Sequence, residues 1–275
     1  MATSRWASFV TRLNRDSTSR AIRMDGLNEL NRGPMTLLSF NRREDLNKYA
    51  LGVDRDIGGT SSAHLDFVPS SSDANINNKN DAEPLGTVKF WGDMRLAVRN
   101  DLRGRIRGGY AGFRSKNRPT LFSELTDDIS NHAYLALRVR VGGHPRTHNA
   151  YYVNLQTDTP ISGELWQHRL YFRKADGSWE DIFIPFSAFA LTSYGELATG
   201  RASQVNLEDE KIRWIGISLL GGNAGIEGPF ELGIDSIKAV NKEDVHTPPI
   251  VDKPSSHTVD TEEELPEEPW RQDRI

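Results

Sequence analysis

The sequence contains no cysteine. Disulfide bonds, thiolate zinc sites, cysteine-ligated iron–sulfur clusters and a cysteine nucleophile are therefore excluded. The sequence also lacks any apolar run near the roughly eighteen residues that a membrane-spanning helix needs, and its N-terminus has no apolar signal core. We therefore expect a soluble protein, or at most a peripheral membrane protein.

Common catalytic motifs are missing as well. The sequence has no standard phosphate-binding, dinucleotide-binding, zinc-protease or nucleophile-elbow motif. His144 and His148 lie close together, but Pro145 disfavours a helix that would bring both imidazoles to one face. We therefore predict a protein that is not an enzyme and holds neither a cofactor nor a metal, although carboxylates from distant strands could still meet in an active site.

Charge is distributed unevenly along the chain. Residues 1–24 contain five arginines and one aspartate and are rich in serine and threonine, with Trp6, Phe9, Val10 and Leu13 at near-helical spacing. This composition is typical of a mitochondrial presequence, and equally of a basic amphipathic helix on the domain or on a membrane surface. Residues 246–275 contain eight acids and three bases and are rich in proline, which predicts a disordered tail.

Short β-rich segments dominate from Thr36 onward, about ten in all, and no helical spacers separate them. Because parallel strands need such crossovers, the pattern predicts an all-β fold, an antiparallel β-sandwich. We expect a basic arm with a short helical segment at 1–33, the sandwich at 34–243 with a mobile polar loop at 70–84, and the acidic tail at 244–275.

Alternation within the strands indicates which side chains face outward. In YLALRVRV, four aliphatic residues share one face and leave Arg138 and Arg140 on the other. The same reasoning predicts an outer polar patch, which either binds a sugar or a protein partner or is an ordinary solvent face. Its members are Asn154, Gln156, Gln167, Arg169 and Tyr171.

Basic residues cluster between 103 and 118, around Tyr110 and Phe113. The pattern partly matches an RNA-binding motif, but Gly112 lies where a second aromatic residue belongs, and no βαββαβ layout surrounds it. We therefore predict no nucleic-acid partner. A basic loop that contacts an acidic protein or a phospholipid surface fits the segment better.

Eight segments stand in an order that resembles the complex I intermediate-associated protein 30 family over roughly residues 34–243. The segments are DRDIGGTSSAHLDF, GYAGFRS, YLALRVRVGG, YYVNLQT, HRLYFR, WEDIFIPFSAF, IGISLLGG and GPFELGIDSIKAV. The residues that carry this signature are Asp54, Ile57, Gly58, Gly59, Gly109, Tyr110, Gly112, Gly228, Pro229 and Phe230. Within it, we expect Gly58 and Gly59 to form a tight turn.

The resemblance implies a jelly-roll β-sandwich similar to galactose-binding domains. It further implies a non-catalytic chaperone that binds assembly intermediates of the membrane arm of mitochondrial complex I. Its partners would be complex I subunits and other assembly factors, and it would lie in the matrix, in peripheral contact with lipid of the inner membrane.

The alternative to an assembly factor is a carbohydrate-binding module of the same fold. Its sugar platform would be formed by Tyr171, Arg169, Gln167 and Gln156. Asp235, in the last strand, would then be a candidate calcium ligand.

Overall fold

The structure, a computed structural model, describes residues 33–69, 86–121, 123–159, 163–198, 206–222 and 224–248. The expected presequence or arm up to residue 32, the expected loop at 70–84, and residues 249–275 of the expected tail lie outside the described residues. No described helix is long and apolar enough to cross a membrane.

Fourteen strands make up about half of the described chain. They are β1 Met35–Ser39, β2 Tyr49–Val53, β3 Ser62–Pro69, β4 Gly86–Met94, β5 Tyr110–Ser115, β6 Asp127–Asp128, β7 Tyr134–Gly143, β8 Tyr151–Thr157, β9 Glu164–Arg169, β10 Glu180–Pro185, β11 Ala190–Ser193, β12 Glu196–Leu197, β13 Lys211–Leu220 and β14 Gly228–Val240. The described helices are short 3₁₀ turns at Arg43–Lys48, Asp54–Ile57, Asn100–Leu102, Pro145–Ala150, Phe186–Ala188, Leu207–Asp209 and Lys242–Asp244.

The strands form two sheets. The first has the order β10–β7–β14–β4–β3, with β1 also paired to β14, and the second has the order β12–β11–β9–β8–β13–β5–β2, with β6 also paired to β13. Every pair of neighbouring strands is antiparallel. The predicted all-β antiparallel fold is therefore confirmed, whereas the jelly-roll connectivity stays a prediction.

Alternation decides which side chains enter the core. In β7, Leu135, Leu137, Val139 and Val141 are all buried, while Arg138 on the opposite face is exposed. The inward residues of the second sheet follow the same rule, with Ile215, Ile217 and Leu219 of β13 buried. The rings of Phe90 in β4 and Phe113 in β5 meet edge to face with centroids 5.2 Å apart, which joins the two sheets through the core.

A buried carboxylate joins the same sheets at one end of the sandwich. Asp54 is 1% exposed and accepts hydrogen bonds from the Ser61 backbone N–H (3.0 Å) and hydroxyl (2.9 Å), and from the backbone N–H groups of Gly109 (2.6 Å) and Tyr110 (3.2 Å). Ser61 precedes β3 of the first sheet, and Tyr110 begins β5 of the second. The Asp54 side chain therefore holds in place the residues at which the chain enters β3 of the first sheet and β5 of the second sheet.

Two glycines make room for this carboxylate. Gly58 ends the turn in the left-handed region (φ 109°), where residues with a side chain are strained. At Gly59, a Cβ would lie 2.4 Å from the Asp54 Cγ, so any larger residue would displace the carboxylate. The turn expected at these glycines is thus also the support of Asp54.

Two segment boundaries differ from the sequence expectation. The strand expected to run through HRLYFR ends at Arg169, so Tyr171 lies beyond β9. Residues 244–248, expected to belong to the tail, lie against the sandwich: the His246 ring meets Phe183 edge to face at 4.9 Å, and its Nε2 lies 3.2 Å from Asp181. The contact with the Phe183 ring explains why residues 244–248 lie against the sheet.

We predict that Asp54→Asn lowers the free energy of unfolding by about 3 kcal/mol, because the amide turns a donor toward buried N–H groups that need an acceptor. Urea unfolding followed by circular dichroism measures the change. The matched control is Asp56→Asn, since Asp56 is exposed and accepts one long bond (3.4 Å) from the Val53 N–H. We expect a change within about 0.5 kcal/mol for the control. Equal losses in the two variants would contradict the role assigned to Asp54.

Candidate functional site

The outer face of the second sheet gathers polar and aromatic side chains across neighbouring strands. We call it the polar face, and its residues are Tyr110, Gly112, Arg114, Asn154, Gln156, Gln167, Arg169, Trp214 and Ser218. Strand register places them together: Asn154 of β8 lies opposite Gln167 of β9, and Ser218 of β13 lies opposite Gly112 of β5. The nine residues include two arginines and no acid.

A chain of amides crosses this face. Gln167 Nε2 donates to Asn154 Oδ1 (2.7 Å), and Asn154 Nδ2 donates to Ser218 Oγ (2.9 Å). Between the same strands β8 and β13, two residues further along β8, the Trp214 indole N–H donates to Gln156 Oε1. These bonds fix the orientation of each amide, so the face offers a rigid pattern of donors and acceptors.

The two amides of β8 are buried, which corrects the expectation that they face solvent. Asn154 is 7% exposed and Gln156 is 8% exposed. Side chains of neighbouring strands, including Gln167 and Trp214, lie against them. Alternation indicates the correct face of the sheet. Side chains on the strands to either side cover the two amides, which therefore form the buried base, or floor, of the polar face.

Arginine side chains lie over aromatic rings at two places beside the buried amides. The Arg114 guanidinium lies over the Trp214 ring, 5.2 Å from its centroid, and the Arg169 guanidinium lies 5.8 Å from the Tyr171 centroid. Arg169 also donates from Nε to the Asn149 carbonyl (2.7 Å), which holds its side chain in place. Paired in this way, the guanidinium planes and rings present contact area that costs little entropy to order.

Glycines on this face leave room for the side chains and backbone beside them. A Cβ at Gly112 would lie 2.9 Å from the Tyr110 hydroxyl, and one at Gly216 would lie 2.4 Å from the Phe113 carbonyl oxygen. Tyr110 is 43% exposed, and desolvation raises the pKa of its phenol, an effect that Arg114 partly opposes. The phenol is therefore protonated at neutral pH, and it can donate a hydrogen bond beside Gly112.

The two arginines predicted to face outward in YLALRVRV lie elsewhere. Arg138 and Arg140 belong to the outer face of the first sheet, so the structure does not bring them together with the amides. Arg138 pairs with Asp181 (3.1 Å), and the Arg140 guanidinium lies 5.2 Å from the centroid of the Trp179 ring. The outward side chains predicted from alternation thus divide between the outer surfaces of the two sheets.

The family-signature residues at 228–230 are placed as structural elements. Gly228 has a φ of 126°, the Pro229 carbonyl accepts from the His144 N–H (2.7 Å), and Phe230 is buried in the core. Ile57 differs, since its side chain is 62% exposed beside the Asp54 turn.

Alternation in the sequence does not assign five members of the polar face to the patch: Tyr110 and Gly112, which enter only as signature residues, and Arg114, Trp214 and Ser218. For Trp214 and Ser218 the signal was present, because they alternate with the buried Ile215 and Ile217 in β13. The sequence shows Arg114 only as part of the basic run, and its strand register opposite Gly216 is what places it on the face.

Within the described residues, no group of three or more histidines or acids is arranged to hold a metal ion. Asp235, the calcium candidate, accepts a hydrogen bond from the Ser236 hydroxyl (3.0 Å). His148 contacts the Gly142 carbonyl through Nε2 (3.1 Å), and burial lowers its pKa. His144 accepts from the Arg146 N–H (3.2 Å) within the same 3₁₀ turn, so this pair has local structural partners.

Comparison with known proteins assigns the chain to a family. The model of the family described as Complex I intermediate-associated protein 30 matches residues 38–234. A protein of Neurospora crassa named "Complex I intermediate-associated protein 30, mitochondrial" is 33% identical over 218 residues, which cover 76% of this chain and 74% of that protein. The mouse protein of the same name is 30% identical over 201 residues, covering 72% of this chain and 53% of the relative. The resemblance inferred from the eight segments is therefore confirmed.

Solved structures show a weaker likeness. A family 11 carbohydrate-binding module from Clostridium thermocellum, in complex with a mixed-linked tetrasaccharide, has 14% identity and a TM-score of 0.47 over 76% of this chain and 96% of that chain. An exo-β-agarase has 12% identity and a TM-score of 0.40 over 78% of this chain and 26% of that chain. Similarity at this level says nothing about ligands.

We predict that Asn154→Ala lowers the free energy of unfolding by about 2 kcal/mol, because the partners Gln167 and Ser218 each lose a hydrogen bond. Urea unfolding measures the change. Asn149→Ala is the control, since Asn149 is exposed and only its backbone carbonyl accepts from Arg169, and we expect a change within about 0.5 kcal/mol. A neutral Asn154→Ala variant would show that the amide chain does not order the face.

Proposed function

Because the chain belongs to the complex I intermediate-associated protein 30 family, we propose that it is a non-catalytic assembly factor for mitochondrial respiratory complex I. The observation that carries this proposal is the match of the family over residues 38–234, which includes all of the polar face. In this proposal the protein binds intermediates of the membrane arm from the matrix side, with complex I subunits and other assembly factors as partners. It touches lipid of the inner membrane only peripherally.

The polar face is the surface that we propose for partner binding. Buried amides hold its floor in a single arrangement, and Arg114, Trp214 and Tyr110 rise beside it. Tyrosine, tryptophan and arginine are the residue types that most often dominate binding energy at protein interfaces. A floor that is already ordered also lowers the entropy cost of association. The face is thus suited to hold a partner without chemical change.

A replacement experiment tests the assembly role. In cells that lack the native protein, we expect complex I subunits to be made but not assembled, and the natural chain to restore assembled complex on native gels. The affinity-tagged natural chain should also co-purify with assembly intermediates. A normal level of complex I in the deletion strain would overturn the proposal.

A pair of arginine variants tests the surface. We expect Arg114→Ala to weaken capture of intermediates roughly tenfold, since a well-placed arginine at an interface centre is worth about 1.4 kcal/mol or more. Arg138→Ala is the matched control, because it removes an exposed arginine from the outer face of the first sheet. Equal capture by the two variants would exclude the polar face as the main contact.

A second candidate function is carbohydrate binding. The observation that favours it is the placement of the Trp214 ring against the Gln156 amide, with the exposed Tyr110 ring on the same face, because sugar rings stack on aromatic groups and bond to amides. A glycan array probed with the full chain, with and without calcium, tests this candidate. Binding that is lost in Arg114→Ala would support it, and silence under both conditions would exclude it.

A further inference from the structure

Two turns at one end of the sandwich carry exposed arginines around an exposed aliphatic side chain. The turns comprise residues 54–58 and 99–107, and we call them together the arginine end. We propose that the arginine end contacts an anionic phospholipid surface. This inference rests on the proposed position at the inner membrane, and it names the part of the protein that meets the lipid.

The two turns form one fixed unit. The Arg99 N–H donates to the Gly58 carbonyl (3.0 Å), and Gly59 forms a bridge with Val98. The Leu102 side chain occupies the space above Gly58, where a Cβ would lie 2.3 Å from the Leu102 Cδ1. Since the buried Asp54 holds the start of the first turn, the arginine end is a preformed surface.

Positive charge on this end is incompletely neutralised. Arg99 pairs with Asp101 (2.8 Å), and the nearby Arg95 pairs with Asp93 (2.5 Å). By contrast, Arg55, Arg103 and Arg105 are exposed, and none of them has an ion pair or hydrogen-bonding partner for its side chain among the described residues.

The acidic groups of the end offset little of this charge. Asp54 is buried and already accepts four hydrogen bonds. Asp56 is exposed and bonds only to the Val53 N–H. The two turns therefore present an excess of positive charge, which is attracted to a negative surface and is screened by salt.

Ile57 distinguishes a lipid surface from an acidic protein surface. Its side chain is 62% exposed, next to the half-buried Leu102 and Ile106, whose side chains approach Gly58. An acidic protein surface would satisfy the arginines but would leave Ile57 against charged groups. At a membrane, phosphates meet the guanidinium groups while the aliphatic side chain enters the acyl boundary, so both features are satisfied.

Vesicle binding by the full chain tests the inference. We expect the natural chain to float with vesicles of phosphatidylcholine mixed with phosphatidylglycerol and to remain unbound with phosphatidylcholine alone. Arg103→Gln combined with Arg105→Gln should weaken binding roughly 30-fold at low salt, since each basic residue near an anionic surface contributes about 1 kcal/mol. Ile57→Ser should weaken binding roughly tenfold at both low and raised salt, because apolar insertion is not screened.

The control removes two charges from the opposite end of the sandwich. Arg43 precedes β2 and Lys242 follows β14, and both are exposed. Arg43→Gln combined with Lys242→Gln lowers the net charge equally, and we expect it to bind vesicles like the natural chain. Circular dichroism should show that all variants are folded.

Three outcomes would overturn the inference. One is failure of the natural chain to bind anionic vesicles, and another is equal binding by the arginine-end and control variants, which would assign any vesicle binding to a different part of the chain. The third is an arginine-end variant that binds vesicles normally but captures fewer complex I intermediates, because an acidic protein would then be the partner. Since the vesicle assay contains no complex I component, its result is independent of whether the assembly role holds.

Discussion

The Asp54 carboxylate is the interaction on which both surfaces of the molecule depend. A carboxylate removed from water is unfavourable unless donors surround it, and here three backbone N–H groups and one hydroxyl do so. Those donors come from Ser61, before the first sheet's β3, and from Gly109 and Tyr110, at the start of the second sheet's β5. The hydrogen bonds from these donors to Asp54 therefore join the two sheets at this end of the sandwich.

This placement links the polar face to the arginine end. The Tyr110 backbone N–H binds Asp54, while its ring lies beside Gly112 on the polar face. On the other side of the same carboxylate, the turn from Asp54 to Gly58 carries Arg55 and Ile57. The buried Asp54 carboxylate therefore positions Tyr110, the first residue of β5 on the polar face. It also positions the exposed turn that belongs to the arginine end.

Much of the fold could be predicted because alternation is a local signal. The four aliphatic residues of YLALRVRV face the core as expected, and each of the ten expected segments contains a strand. The strands that were missed are β2, β6, β11 and β12, which are short and have few alternating positions. Tertiary pairing, rather than local pattern, decides that β2 joins the edge of β5 and that β11 joins β9.

The candidate site was less predictable, because burial on an outer face depends on neighbours that are distant in sequence. Alternation places Asn154 outward, but Gln167 and Ser218 on neighbouring strands decide that its amide is buried and that its oxygen and its nitrogen each form a hydrogen bond. Likewise, Arg138 and Asn154 both face outward, yet only sheet order shows that they lie on opposite sides of the molecule.

Separate surfaces suit the role proposed above, in which the protein holds a partner near a membrane. The polar face is a broad surface of amides, rings and guanidinium groups fixed by hydrogen bonds, whereas the arginine end is narrow, positively charged and tipped by Ile57. Binding at one would leave the other accessible, since the first covers strands of the second sheet and the second projects from turns beyond the strand ends. Because Asp54 supports both surfaces, the functions proposed for them can be separated only by changes in exposed side chains, not by changes in the buried group that holds them.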